Sequence, residues 1–396
     1  MHRKSPGMST ISTVRRMPKT IGLAIFLLLL VAVTASFGQA QNAAKVITTS
    51  VQDQTLHKPG PLAHTFSIVA RDPQTGEMGA AVQSHWFAVG QSVIWAEAGV
   101  GAVATQSFID PSYGKLGLEL MRAGKSAPET LEALLGGDPN NQVRQVAMID
   151  NTGRVSVFTG CMDISHAGHS VGPEPGKKFV TRLVPSPNSK CESRQDYGSG
   201  FSVEANLMAN SQVWPAMERA FKEAKGDLAD RMLAALDAAQ AVGGDIRGRQ
   251  SAALIVVKAQ SSGKPWQDRV FDVRVDDATE PLKELRRLVL LQRAYNHMNA
   301  GDLATEKKDN EGALREYAAA EAIAAKAEGV QPSRLAEMMF WHAVALVNMG
   351  RVDDSLPMFS KVFAMMPSYR ELTPRLPKSG LIVNDPKVIE RIVGLK

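Results

Sequence analysis

The sequence predicts an α+β fold, with helices packed on the outer faces of two antiparallel sheets and an all-helical region behind them. Three observations predict it. Strand-like stretches come in runs separated by pairs of helical stretches, the connections inside the runs carry short hairpin signals, and from about Glu280 the pattern is helical throughout.

The elements follow in order. TFSIVA and MGAAVQS flank Asp72-Pro73-Gln74-Thr75-Gly76 and predict a hairpin, and VGAVATQ continues as a third, largely buried strand. A helix is expected from about Tyr113 to Arg122. Ser126-Ala127-Pro128-Glu129 is a capping box with proline in the first turn, opening a second helix that ends near Gly136. VRQVAMI and RVSVFTG form another hairpin around Asp150-Asn151-Thr152-Gly153. From Cys161 to Gly200 the chain is rich in Gly, Pro, Ser and Lys and reads as a long loop or insertion. FSVEANLMAN leads into helices around Gln212 to Lys225 and Leu228 to Ala241, split by Gly226-Asp227, and the strands SAALIVVK and RVFDVRV close the domain. In the helical region, FWHAVALVNMGRVDDSLPMFSKVFAMMP resembles a tetratricopeptide repeat, with Gly350 at the turn, Ser355 at a small-residue position, Phe359 at the aromatic one and Pro367 at the end. A looser unit carries Ala313, Tyr317 and Ala320. Two repeats do not bury a solenoid core alone, so they are expected to pack on the preceding domain or on a partner.

The chain has 396 residues, 44% of them hydrophobic, enough for one sizeable core and a smaller appended domain. Residues 1–40 hold Arg3, Lys4, Arg15, Arg16 and Lys19, no acidic residue, and the apolar run IGLAIFLLLLVAVTASF, which reads as a secretory leader cleaved after Gly38-Gln39-Ala40. The alternative is an uncleaved membrane anchor. Arg15-Arg16 also hints at a twin-arginine signal, and Met8 and Met17 are alternative starts. The predicted organisation is therefore a signal peptide over 1–40, a linker or removable pro-segment over 41–63, an α+β domain over 64–278 and a helical domain over 279–396.

The formal net charge of +5 equals the five basic residues of the leader, so the remainder is close to neutral. No basic stripe with interleaved aromatics remains, which excludes nucleic-acid binding. The two cysteines, Cys161 and Cys191, lie without CxxC spacing, and in an exported protein they are candidates for one disulfide stapling a loop.

HTFSIVARDP, AVQSHWFAVG, GVGAVATQSFIDPSYG, AGH, GGDIRGRQSAAL and VRVDDATEPLKELRRL occur in order over roughly residues 64 to 290, and on these motifs the sequence resembles the bacterial family catalogued as domain of unknown function 1028. That resemblance implies the four-layer αββα sandwich of the N-terminal nucleophile hydrolases, whose enzymes use a Thr, Ser or Cys at a newly exposed chain start. It implies no activity, because fold does not fix chemistry.

Thr65 is the candidate nucleophile, because an N-terminal threonine has an α-amine of near-neutral pKa to activate its own hydroxyl. The amine appears only if the chain is cut at His64-Thr65. Ser84 and His85, at the end of the second strand, are expected nearby. No lysine occurs between His64 and Gly114, a departure from proteasome-type threonine hydrolases. The bland alternative is a strand residue at a domain boundary. Asn206 would supply an oxyanion donor and Thr159 a second hydroxyl, unless they cap turns. Asp245, Arg247 and Arg249 crowd a glycine-rich turn, where a forked guanidinium would clamp a substrate carboxylate or merely pair with Asp245. His166 and His169, with His85, have a spacing that would suit zinc, against ordinary loop and core histidines. Gly172 to Lys178 lacks phosphate-loop spacing.

Two functions are expected. One is an exported N-terminal-threonine amidohydrolase acting on a small amide or peptide, secreted or periplasmic, without a cofactor. The other is a non-catalytic binding or scaffold protein whose C-terminal helices recruit a protein partner, with a homo-oligomer as a further option.

Overall fold

The computed structural model describes residues 61–395 apart from 175, 177–179, 187–189 and 327. The leader, its cleavage site and the linker up to residue 60 lie outside the described residues. The fold is mixed α and β, with two antiparallel sheets and ten α-helices among the described residues.

The strands are β1 (Leu62–Ala63), β2 (Thr65–Arg71), β3 (Met78–Ser84), β4 (Ile94–Glu97), β5 (Gly101–Phe108), β6 (Arg144–Asp150), β7 (Arg154–Thr159), β8 (Gly168–Val171), β9 (Val180–Pro185), β10 (Glu192–Ser199), β11 (Phe201–Ala205), β12 (Ser251–Val257) and β13 (Arg269–Val275). One sheet runs β1-β5-β6-β7-β10-β9, with β4 also on β5, and the other runs β13-β12-β3-β2-β11-β8. Helices α1 (Ser112–Arg122) and α2 (Ala127–Gly137) cover the first sheet, while α3 (Val213–Glu223) and α4 (Leu228–Ala241) cover the second. The Ser126–Glu129 capping box forms at the start of α2.

Strand alternation sends each apolar set to its own layer. Phe66, Ile68, Leu254 and Val256 pack on Met217, Phe221, Met232 and Leu236 of α3 and α4. Val103, Val146, Met148 and Phe158 pack on Leu118, Leu131 and Leu135 of α1 and α2. Between the sheets lie Val69, Ala80, Val82, Ala102, Ala104, Ala147, Ile149, Val155 and Val157.

The C-terminal region holds α5 (Pro281–Glu306), α6 (Asn310–Lys326), α7 (Pro332–Asn348), α8 (Val352–Met365), α9 (Ser368–Leu372) and α10 (Pro386–Val393). Leu282, Leu285 and Val289 of α5 join the core beneath α4, which ties the helices to the sheets. Ala313, Tyr317 and Ala320 are buried within α6, Gly350 turns between α7 and α8 at φ 79°, and Ser355 and Phe359 are fully buried in α8. No helix among the described residues is long and apolar enough to cross a membrane.

Three expectations need correction. The stretch from Cys161 to Gly200 is not a long loop, since it supplies β8, β9 and β10. Its buried positions on β10 are Ser193, Gln195, Asp196 and Gly198, so it lacks the apolar alternation that marks a strand. The end of the linker is structured too, because Leu62 and Ala63 pair with Phe108 and Ser107. His169 sits in strand β8, apart from the zinc grouping with His166 and His85 that its spacing suggested. Cys161 and Cys191 are bonded to each other.

Candidate functional site

The inward faces of the strands change character at one end of the layer between the sheets. Along β2 the inward residues run Thr65, Ser67, Val69, along β5 Ala102, Ala104, Gln106, along β6 Gln145, Ala147, Ile149, and along β7 Val155, Val157, Thr159. The register aligns the polar ones. Thr65 lies opposite Ser84 and Ser84 opposite Ser251, Ser67 lies opposite Glu204 and Glu204 opposite His169, and Gln106 faces Gln145 across its sheet.

A buried hydrogen-bond network fills this end. The Thr65 hydroxyl donates to Gln106 Oε1 at 2.5 Å and is fully buried. Gln106 Nε2 donates to Gln145 Oε1 at 2.6 Å, which also accepts from Asn206 Nδ2 at 2.9 Å. The Gln145 amide in turn donates to Thr159 Oγ1 at 2.9 Å and to the Ala205 carbonyl at 3.0 Å. Thr159 Oγ1 lies 2.6 Å from His169 Nδ1, and His169 Nε2 lies 3.0 Å from Asp196 Oδ2. That last contact is an ion-pair distance off the direction of a good hydrogen bond. A cleft of about 360 Å³ opens beside Thr159 and is lined by Arg194 and Trp214.

The protonation states are set by burial. Desolvation pushes Glu204 up to about 8 against the opposing bonds from Ser67 and Ser202. Ser67 has one hydroxyl hydrogen and two close acceptors, Gln106 Oε1 at 2.7 Å and Glu204 Oε1 at 2.6 Å. A protonated Glu204 resolves the conflict by donating to Ser67, which then donates to Gln106. Burial lowers His64 and His169, so both imidazoles are neutral near pH 7. Burial alone would raise Asp196, but His169 and Arg194 outweigh it and hold it at about 2.

The bond before Thr65 has its own cradle. The His64 carbonyl accepts from Ser84 Oγ at 2.6 Å and from Arg247 Nη2 at 2.8 Å. Arg247 is aimed by Asp245, whose Oδ1 accepts from Nε at 3.0 Å and whose Oδ2 accepts from Nη2 at 2.7 Å. The glycine-rich turn permits this, since Gly243 and Gly248 take φ of 125° and 116°, which side-chain-bearing residues rarely adopt. His64 Nδ1–H donates to Asn206 Oδ1 at 2.7 Å, and Asn206 N–H donates to the Thr65 carbonyl at 3.1 Å.

Thr65, Ser84, Asn206, Asp245 and Arg247 therefore converge, and Thr159 joins them through Gln145. His85 does not, because only its backbone N–H reaches Asp245 while its ring is exposed. Arg249 is turned outward and pairs with Glu280. Ser67, Gln106, Gln145, Asp196 and Glu204 escaped sequence reasoning, and His169 entered it only as a candidate zinc ligand. For Ser67, Gln106 and Gln145 the signal is a polar residue continuing an inward apolar series on a core strand. Among the described residues no group of three His, Cys, Asp or Glu side chains gathers to hold a metal ion.

Residues 65–176 and 187–285, more than half of the chain, match a family of unknown function, DUF1028. The chain belongs to that family. The DUF1028 match begins at Thr65 itself and ends within α5. A solved crystal structure, that of protein SPO2555 from Silicibacter pomeroyi, also of DUF1028, is similar at 25% identity over 57% of this chain and 87% of that chain, with a TM-score of 0.43. No curated protein matches the chain.

Proposed function

We propose that the protein is an exported amidohydrolase of the N-terminal nucleophile type, that its sheets and helices are the αββα sandwich of that class, and that the described chain is its precursor. The observation that carries this is the His64 carbonyl, held by the Ser84 hydroxyl and the Arg247 guanidinium directly before a buried threonine hydroxyl. Two donors on one carbonyl oxygen are what a developing oxyanion requires.

Cleavage balances without a cofactor. Thr65 Oγ1 adds to the His64 carbonyl carbon through a five-membered ring, the C–N bond breaks, and the hydroxyl proton ends on the nitrogen. Water then hydrolyses the resulting ester, releasing the His64 carboxylate and a Thr65 with a free α-amine. That amine becomes the base for turnover on an external amide. The start of the family match at Thr65 supports the same boundary. The Cys161–Cys191 disulfide supports export into an oxidising compartment.

The test is the intact mass of the full chain expressed in a secreting host. The expected product begins at Thr65, and Thr65→Ala keeps the longer chain. Natively folded wild-type protein that retains residues 61–64 would sink the proposal. A second role is read for the helices α5 to α8, as a tetratricopeptide-like surface for a protein partner, supported by the Gly350 turn and the buried Ser355 and Phe359.

A further inference from the structure

The residues before Thr65 lie as a bound peptide would. The Pro61 carbonyl accepts from Ile109 N at 2.9 Å, and Leu62 and Ala63 run antiparallel to Phe108 and Ser107. They occupy the edge of β5 that β4 covers further back, between Ile94 and Glu97. The edge is held from behind, with Arg144 Nη1 donating to the Phe108 carbonyl at 2.6 Å and Ser107 Oγ to Asp163 at 2.7 Å. Ala63 is fully buried. The His64 ring is buried, bonded to Asn206 Oδ1 and edge-on to Phe108 at 6.3 Å between centroids.

Pro61 and Leu62 thus lie on a strand edge, Ala63 fills a small-residue position, and His64 places its ring in a pocket with one acceptor and its carbonyl in a two-donor cradle. Resting on the hydrolase reading, in which cleavage vacates these positions, we propose that residues 61–64 mark the acyl-side subsites of the substrate. The enzyme takes peptide amides that add as a strand to residues 107–109, with a small residue second from the scissile amide. The residue at the scissile amide carries a planar side chain with an N–H donor, and an imidazole fits.

The physical reason is economy of placement. The hydroxyl that attacks the internal carbonyl later attacks the substrate carbonyl, so Ser84 and Arg247 hold both in one position. Main-chain pairing to a bared edge gives affinity without sequence preference, and the Asn206 pocket supplies the preference. A phenyl or leucyl group there leaves Asn206 Oδ1 buried and unpaired.

The experiment uses the full-length protein after it has cleaved itself. Hydrolysis of Leu-Ala-His, Leu-Ala-Phe and Leu-Ala-Leu p-nitroanilides is compared as kcat/KM, with the histidyl substrate expected to lead by roughly tenfold or more. In the precursor, His64→Phe is expected to slow self-cleavage by a similar factor, while His64→Gln, which keeps an N–H donor, retains most of the rate. Equal turnover of the three anilides, or unimpaired cleavage of His64→Phe, overturns the inference and leaves the hydrolase reading standing. A chain that stays uncleaved and turns over none of them removes the reading underneath it.

Discussion

The two ends of the layer between the sheets are built from the same strands and differ in everything else. At one end Val69, Val82, Ala104, Ile149 and Val157 close an apolar core that asks for no specific partner. At the other, one or two residues along the same strands, Thr65, Ser67, Ser84, Gln106, Gln145 and Thr159 bury hydroxyls and amides that must be paired atom by atom. Burying a polar group without a partner costs about 1–3 kcal/mol, so a fold gains nothing from concentrating them there for stability alone. A region that departs from the cheaper solution on five neighbouring strands is where function is expected.

The sharpest way to break this contrast is at the His64 carbonyl. Arg247→Gln and Ser84→Ala should each slow self-cleavage by roughly 10²- to 10³-fold, the loss seen when one oxyanion donor is removed, read by mass over time. Val157→Ala, at the apolar end, should leave that rate within about twofold.

Next in size is the pH dependence of stability. Glu204 has its pKa raised by burial to about 8, above its unfolded value, so its contribution is complete below the unfolded pKa and is lost as pH rises through the folded one. Between pH 5 and 8 the wild type should lose roughly 3 kcal/mol more unfolding free energy than Glu204→Gln in urea melts. Equal pH profiles would mean that Glu204 is not held neutral.

Gln145→Leu should cost about 2–3 kcal/mol, because it strands Gln106 Nε2 and Asn206 Nδ2, whereas Val157→Ala should cost about 1–2 kcal/mol from a cavity. The smallest effect marks the border of the polar end. Arg249→Ala, which breaks an exposed pair with Glu280, should change stability by less than about 1 kcal/mol and leave cleavage intact.

Much of the fold is legible in the sequence. The two hairpins, α1 to α4, the capping box and the closing strands follow from local periodicity and turn chemistry, which act within a few residues. What was not legible failed for a physical reason. β10 buries Ser193 and Gln195 on one face and Asp196 on the other, and a strand whose buried positions are polar looks like a loop to any hydrophobic pattern. His85 follows Ser84 directly, and successive strand residues point to opposite faces, while Gly248 at φ 116° breaks the chain direction between Arg247 and Arg249.

The sequence by itself determined the two hairpins, α1 to α4, the closing strands and the family, and it singled out Thr65 as a candidate, because each of these is written in local patterns. Only the tertiary structure decided which polar side chains meet. Gln106 and Gln145 are 39 residues apart, and His64 and Arg247 are 183 apart. Such pairs are joined by strand register and by a turn of three glycines, and register is a property of the assembled sheets rather than of any one segment.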